Sequence, residues 1–261
     1  MRADIYLFKY GHTKSRQSAK LLIEAGGVKI DGSAVNKPSL EIDDTNKHKV
    51  EILGAPRFVS RGGEKLSFAL DSFDISVRGM LAIDVGASTG GFTDCLLQSG
   101  AKLVYAVDSG HGQLDVSLRE DERVVCIEKY NARLMRSGDF PQPFDIAVMD
   151  VSFISQTYIH KGIFDVLKDN GDFVSLIKPQ FECGRGALNN RGIVKDPADR
   201  LNAIVRVIES ARTCGFSCAG VVRSAIDGGD GNAEYLAHFI KNGDRECKIT
   251  EAELKIITKN K

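Results

Sequence analysis

Residues 80–92, MLAIDVGASTGGF, join an apolar run to an acid and then to a glycine-rich turn. Leu81, Ala82, Ile83 and Val85 suit a buried parallel strand, Asp84 stands near its end, and Gly86, Gly90 and Gly91 let backbone close on a ligand before a helix opens. This is a nucleotide-binding corner, with ligand expected over Gly86, Ala87, Ser88, Thr89, Gly90, Gly91 and Phe92. The spacing is G-x-x-x-G-G and not the G-x-G-x-x-G of nicotinamide enzymes, so a related nucleoside cofactor stays open where the dinucleotide reading weakens. A second strand over 102–107 ends in Asp108, where a carboxylate can accept hydrogen bonds from ribose hydroxyls.

Further charged and polar residues stand at predicted strand ends. A third strand over 123–127 ends near Asn131, a fourth over 144–149 carries Asp150 at its carboxyl end, and a fifth over 172–177 ends in Lys178-Pro179. Alternation of these strands with helical stretches gives a doubly wound α/β sheet, a Rossmann-like domain in which ligands bind beyond the carboxyl ends of the strands. Asp84, Asp108, Asp150 and Lys178 all fall there. Lys65 lies on the edge of an apolar helical stripe formed by Leu66, Ala69, Leu70 and Phe73, and Glu234 opens the apolar run of the last strand, 235–240. Taken singly, each of Lys65, Asp150, Lys178 and Glu234 reads as an ordinary surface charge or strand-end cap.

The elements that must position these residues fit a chain of 261 residues, 43% hydrophobic and 27% charged, enough for one large domain and a small one. No apolar run approaches 18 residues and no signal-peptide core opens the chain, so a cytoplasmic location is expected and no membrane partner. The six cysteines are scattered without metal-ligand spacing; they read as reduced structural thiols, and no metal is predicted. Net charge is zero, yet residues 1–30 hold six Lys or Arg against two acids, a basic arm on a neutral protein.

Within that arm Ser15 caps a helix over 16–25 closed by Gly26-Gly27, and short strands follow around 28–30 and from Val35, with Lys37-Pro38 breaking the pattern before 49–52. The string SRQSAKLLIEAGGVKIDGSAVNKP resembles the S4 module, a small RNA-binding fold. The resemblance spans 1–53, with a linker at 54–58 and a second domain at 59–261. It implies that Arg2, Arg16, Lys20 and Lys37 face RNA and neutralise phosphates. Few aromatics interleave with these charges, which suits a folded RNA read by shape.

The strings SRGGEKL, DVGASTGGF, MDVSFIS, LIKPQFE and GNAEYL are similar to the TlyA family, historically labelled hemolysin A, which joins an S4 module to a methyltransferase of the FtsJ type. The resemblance covers essentially the whole chain. It implies a catalytic set of Lys65, Asp150, Lys178 and Glu234 and transfer of the S-adenosylmethionine methyl group to the 2'-hydroxyl of cytidine in ribosomal RNA of the small subunit, the large subunit or both; a monomer is expected. A ribose hydroxyl is a poor nucleophile, so the site must help remove its proton and align it with the methyl. Lys178 is assigned that role. The two acids orient the lysines, and Lys65 is the neighbouring cation that would lower the pKa of the amine. The alternatives are an RNA-binding protein with a dead catalytic domain, which needs a broken set, and a membrane-damaging hemolysin, which needs an amphipathic or spanning stretch that the sequence does not display. A base methyltransferase would end its fourth strand differently from Met149-Asp150-Val151-Ser152.

Overall fold

A computed structural model describes residues 1–24, 26–54, 56–228, 231–243 and 249–259. Ala25 at the end of the expected helix over 16–25, Ala55 of the expected linker, and Cys247 among the six cysteines lie outside these. The chain forms two compact units, Met1–Arg61 and Gly62–Lys261.

In the first unit, α1 (Ala3–Lys9) and α2 (Arg16–Glu24) pack on an antiparallel sheet of order β2-β1-β3, with β1 Val28–Ile30, β2 Ser33–Ala34 and β3 Val50–Ile52. Ser15 Oγ accepts the Ser18 amide at 3.0 Å, the N-cap that starts α2. The helices and sheet bury Tyr6, Leu7, Leu22, Ile23, Val28 and Ile30 in one small core.

The second unit begins with α3 (Arg61–Phe73), whose last twelve residues belong to it, and alternates strand and helix: β4 (Leu81–Val85), α4 (Gly91–Gln98), β5 (Leu103–Val107), α5 (Val116–Arg119), β6 (Val124–Ile127), β7 (Phe144–Met149), α6 (His160–Val166), β8 (Leu167–Ile177), α7 (Pro179–Glu182), α8 (Pro197–Thr213), β9 (Phe216–Arg223), β10 (Tyr235–Lys241) and α9 (Glu251–Lys259). The sheet order is β6-β5-β4-β7-β8-β10-β9. β6, β5, β4, β7 and β8 are parallel, and their unbroken apolar stretches follow from burial on both faces. β10 runs antiparallel to both neighbours. Phe173, Phe216 and Phe239 cluster in the core between sheet and helices, with ring centroids 5.4–6.3 Å apart. β8 starts five residues before the predicted 172, because Leu167 pairs with Phe144 across an irregularity while the polar residues Lys168 to Asn170 stay exposed.

Strand order reverses between β4, which leads to β5, and β7, so the carboxyl ends of these strands diverge into a crevice. Gly86 begins the turn there at φ +85°, and a Cβ on it would stand 2.4 Å from the Asp150 carbonyl oxygen. No side chain fits. Gly86→Ala is expected to cost at least about 2 kcal/mol in denaturant unfolding, from backbone strain plus the clash. Gly112→Ala shares a positive φ, +67°, but meets nothing within 4 Å, and should cost about 1 kcal/mol. Equal losses would show that the close approach of Asp150 carries no weight.

Candidate active site

The crevice takes its floor from β4. Asp84 is fully buried; its Oδ2 accepts the Thr93 hydroxyl at 2.7 Å, and its Oδ1 has no hydrogen-bond partner. Burial pushes this carboxyl up to about 7, with the Asp150 charge adding to the shift and the Thr93 hydrogen bond opposing it. Asp84 therefore lies beneath the turn and, although expected from sequence to meet the ligand, does not line the cleft above it.

An open cleft of about 360 Å³ lies over this corner, lined by Gly86, Ser88, Asp108, Asn131 and Asp150 among the residues expected from sequence, and by Ser109, Gln113, Tyr130, Arg133, Ser152 and Phe153 besides. Asp108 does not stand idle. Its Oδ2 accepts the Ser88 amide at 2.8 Å and its Oδ1 the Gly110 amide at 2.6 Å, so it pins the glycine turn to the end of β5 and keeps one lone pair on each oxygen for a ligand. Asn131 Oδ1 caps the short turn Ala132–Leu134 through the Arg133 amide at 3.1 Å. Ala87, Thr89, Gly90, Gly91 and Phe92 lie behind the cleft wall. Gly90 backs onto Leu114 and Leu118, and Phe92 is buried in the core, so these residues shape the corner without lining it.

The four charged residues converge beside the cleft as two ion pairs. Glu234 precedes β10, and because β10 runs antiparallel its start lies at the sheet edge where β7 and β8 end. Tyr235 pairs with Ile177, so Glu234 falls next to Lys178. Lys65 on α3 reaches Glu234, both nearly buried at 9% and 3% side-chain exposure. Burial raises the Glu234 carboxyl pKa against the pull of Lys65 and Lys178. Lys178 Nζ stands 2.6 Å from Asp150 Oδ1, outside hydrogen-bond geometry, and donates instead to Ser152 Oγ at 2.8 Å. The lysines thus alternate with acids, each with its own carboxylate.

Phe153 and Glu182 were not singled out from sequence, although both lie in quoted strings. Phe153 is 92% exposed at φ +64°, and its ring centroid lies 5.3 Å from that of Phe181 with the planes tilted by 51°. A bulky residue held left-handed in solvent is strained, and such strain gathers at functional sites. In the first unit Lys20 and Lys37 are exposed, as is Arg16. Arg2 and Arg16 are anchored: Arg2 Nε donates to Asp4 Oδ1 at 2.9 Å and Arg16 Nε to Asp4 Oδ2 at 2.8 Å, on a carboxylate that is itself buried.

Residues 58–241 match the FtsJ-like methyltransferase family and residues 1–46 the S4 domain. The chain belongs to the FtsJ-like methyltransferase family, with an S4 domain at its N-terminus. It is 45% identical to Hemolysin A of Brachyspira hyodysenteriae over 92% of this chain and 100% of that protein. Identity is 41% with the 16S/23S rRNA (cytidine-2'-O)-methyltransferase TlyA of Mycobacterium tuberculosis, over 94% of this chain and 91% of the relative. A solved structure of a protein described as a hemolysin from Streptococcus thermophilus superposes with a TM-score of 0.78 at 41% identity, covering 99% of this chain and 94% of that one. An S-adenosylmethionine-dependent methyltransferase from Mesorhizobium loti shares the fold alone, with a TM-score of 0.51 at 15% identity over 66% of this chain and 96% of that one. Among the described residues no helix is long and apolar enough to cross a membrane.

The Asp84 carboxyl makes stability depend on pH with a definite sign. Its native pKa of about 7 lies above the unfolded value near 4, so between those limits the native state holds a proton that the unfolded chain has released. Its contribution therefore declines as pH rises from about 4 to about 7 and is flat above. Asp84→Asn keeps the acceptor for Thr93 and removes the titration. Relative to the parent, the variant should gain roughly 2–3 kcal/mol in denaturant unfolding between pH 5 and pH 8; a difference independent of pH would mean the buried acid is already ionised.

Proposed function

We propose that this protein is an S-adenosylmethionine-dependent enzyme that methylates the 2'-hydroxyl of cytidine in ribosomal RNA, acting as a monomer on ribosomal subunits in the cytoplasm. The observation that carries the reading is the convergence of Lys65, Asp150, Lys178 and Glu234 at the rim of a cleft on the strand switch point, in a chain of the FtsJ-like family.

The cleft fits the cofactor in size and donor chemistry. Pockets of this order of volume hold nucleoside ligands; Asp108 has lone pairs for ribose hydroxyls and Asn131 has amide N–H groups for a base or carboxylate. Bound there, S-adenosylmethionine supplies an electrophilic sulfonium methyl. What the chain must add is alignment of the ribose and a destination for its proton. Lys178 Nζ, held at the cleft edge by Asp150 and Ser152, meets the 2'-hydroxyl; after its ammonium has released a proton to solvent the neutral amine takes up the hydroxyl proton, and the Lys65–Glu234 pair braces the neighbouring strand start. The open ring of Phe153 beside Asp150 offers a nucleobase an apolar face to stack on. On the S4 domain, Arg2, Arg16, Lys20 and Lys37 contact phosphates.

Methyl transfer from labelled S-adenosylmethionine to purified small and large subunits, with mass mapping of the product, tests the activity; absence of 2'-O-methylcytidine in both would overturn it. Lys178→Ala should lower kcat by at least about a hundredfold, the lower range for general-base catalysis. Lys178→Arg separates proton uptake from positioning, because guanidinium keeps the charge but stays protonated. It should be equally inactive, and near-normal turnover would leave Lys178 a positioning role only.

A second measurement addresses the basic arm. Arg16→Ala with Lys37→Ala should weaken subunit binding and flatten its salt dependence by about two counterions, with cofactor affinity unchanged. Normal methylation by this double variant at limiting subunit would reduce the arm to a solvated face.

A further inference from the structure

Glu182 carries no role in the chemistry above, yet it is 4% exposed and lies four residues beyond Lys178, at the end of α7. Its Oε2 accepts the Ser155 hydroxyl at 2.5 Å and its Oε1 the Gln156 amide at 2.9 Å. Those two donors open the turn Gln156–Tyr158, directly after residues 151–154, the segment that follows Asp150 and lines the cleft. The same segment is tied a second time: the Ser175 hydroxyl on β8 donates to Gln156 Oε1, and Gln156 Nε2 reaches the Leu176 carbonyl at 3.5 Å. Arg206 on α8 holds the other side, donating from Nη1 to the Glu182 carbonyl at 3.0 Å.

A desolvated carboxylate is costly unless its acceptor sites are filled, and burial does raise the Glu182 pKa. Here the bonds that fill them join two segments, one carrying Asp150 and Ser152, the other Lys178. Lys178 touches both Asp150 and Ser152 across that junction. Displacement of reacting groups by about 1 Å can cost a hundredfold in rate, so the tie that fixes the two segments fixes the rate.

We propose that Glu182 is a positioning residue of the active site: by clamping Ser155 and Gln156 onto α7 it sets the register of Asp150 and Ser152 against Lys178. The proposal rests on the methyl-transfer reading for its catalytic half, while the clamp itself can be measured without substrate.

The test is Glu182→Leu, which is similar in volume but takes both acceptor oxygens away from the Gln156 amide and the Ser155 hydroxyl. Hydrogen exchange of 151–158 should accelerate by about tenfold or more in the free protein, with the melting temperature within a few degrees of the parent. Turnover should fall by about tenfold or more, the loss falling in kcat more than in KM. Ser155→Ala removes the bond to Glu182 together with the cap on the Thr157 amide, should shift both readouts the same way, and carries the test if the leucine variant does not fold. Parental exchange in 151–158 overturns the clamp; faster exchange with parental kcat overturns its catalytic role. A parent protein that methylates no ribosomal RNA overturns the methyl-transfer reading and the catalytic half with it, and the exchange result still decides the clamp.

Discussion

The site depends on one strand running the wrong way. In a fully parallel sheet a residue that precedes a strand lies at the edge opposite to the residues that follow its neighbours, some five residues and about 17 Å away. β10 is antiparallel, so the glutamate that opens it joins the aspartate and lysine that close β7 and β8. The pairing of Tyr235 with Ile177 then sets the register: a slip of one residue would send Glu234 to the other face of the sheet. The burial of Tyr235, Leu236, Ala237 and Phe239 under helices on both sides holds that register, which is how an apolar core fixes the position of a charge.

The parts of this arrangement that sequence disclosed are those governed by local pattern. Unbroken apolar runs gave β4 and β7, Ser15 gave a helix start that the structure closes with a side-chain cap, and residues at the ends of parallel strands had to share one edge whatever the helix packing. The direction of β10 is a tertiary fact. No periodicity in YLAHFIK distinguishes a parallel from an antiparallel strand, and Glu234 came from resemblance and not from pattern. Pairing of side chains was equally hidden. The two arginines of the basic arm share Asp4, and Asp108 is occupied by two backbone amides, because both acids serve partners that are 12 or fewer and 20 or fewer positions away in ways that charge counting does not rank. Glu182 stood in plain view inside LIKPQFE, but only its bonds to Ser155 and Gln156 distinguish it from a helix-end charge.

Charge balance explains why four ionisable groups can stand together at the edge of a core. Two lysines opposed by two carboxylates leave the cluster neutral, and alternation places each cation nearest an anion. The two pairs are nevertheless unequal. Lys65 and Glu234 are hydrogen-bonded and nearly closed to solvent, so removal of either partner strands a buried charge, a loss of about 3–5 kcal/mol. Lys178 and Asp150 are more open, at 12% and 24%, and their contact lacks hydrogen-bond geometry.

That inequality divides the labour within the set. A pair whose bonds are fully made has little to gain from a substrate, and it serves as a brace between α3 and the start of β10. A close but unaligned pair can be improved: a hydroxyl entering at Lys178 finds an amine held by Ser152 on one side and an Asp150 oxygen with no hydrogen bond of its own on the other. Interactions that become better only when the reacting group arrives are those that raise a rate instead of merely tightening binding. On the proposed methyl-transfer reading the chemistry belongs to the looser pair, and the tighter pair, with the proposed tie through Glu182, belongs to the scaffold that keeps the looser one from drifting.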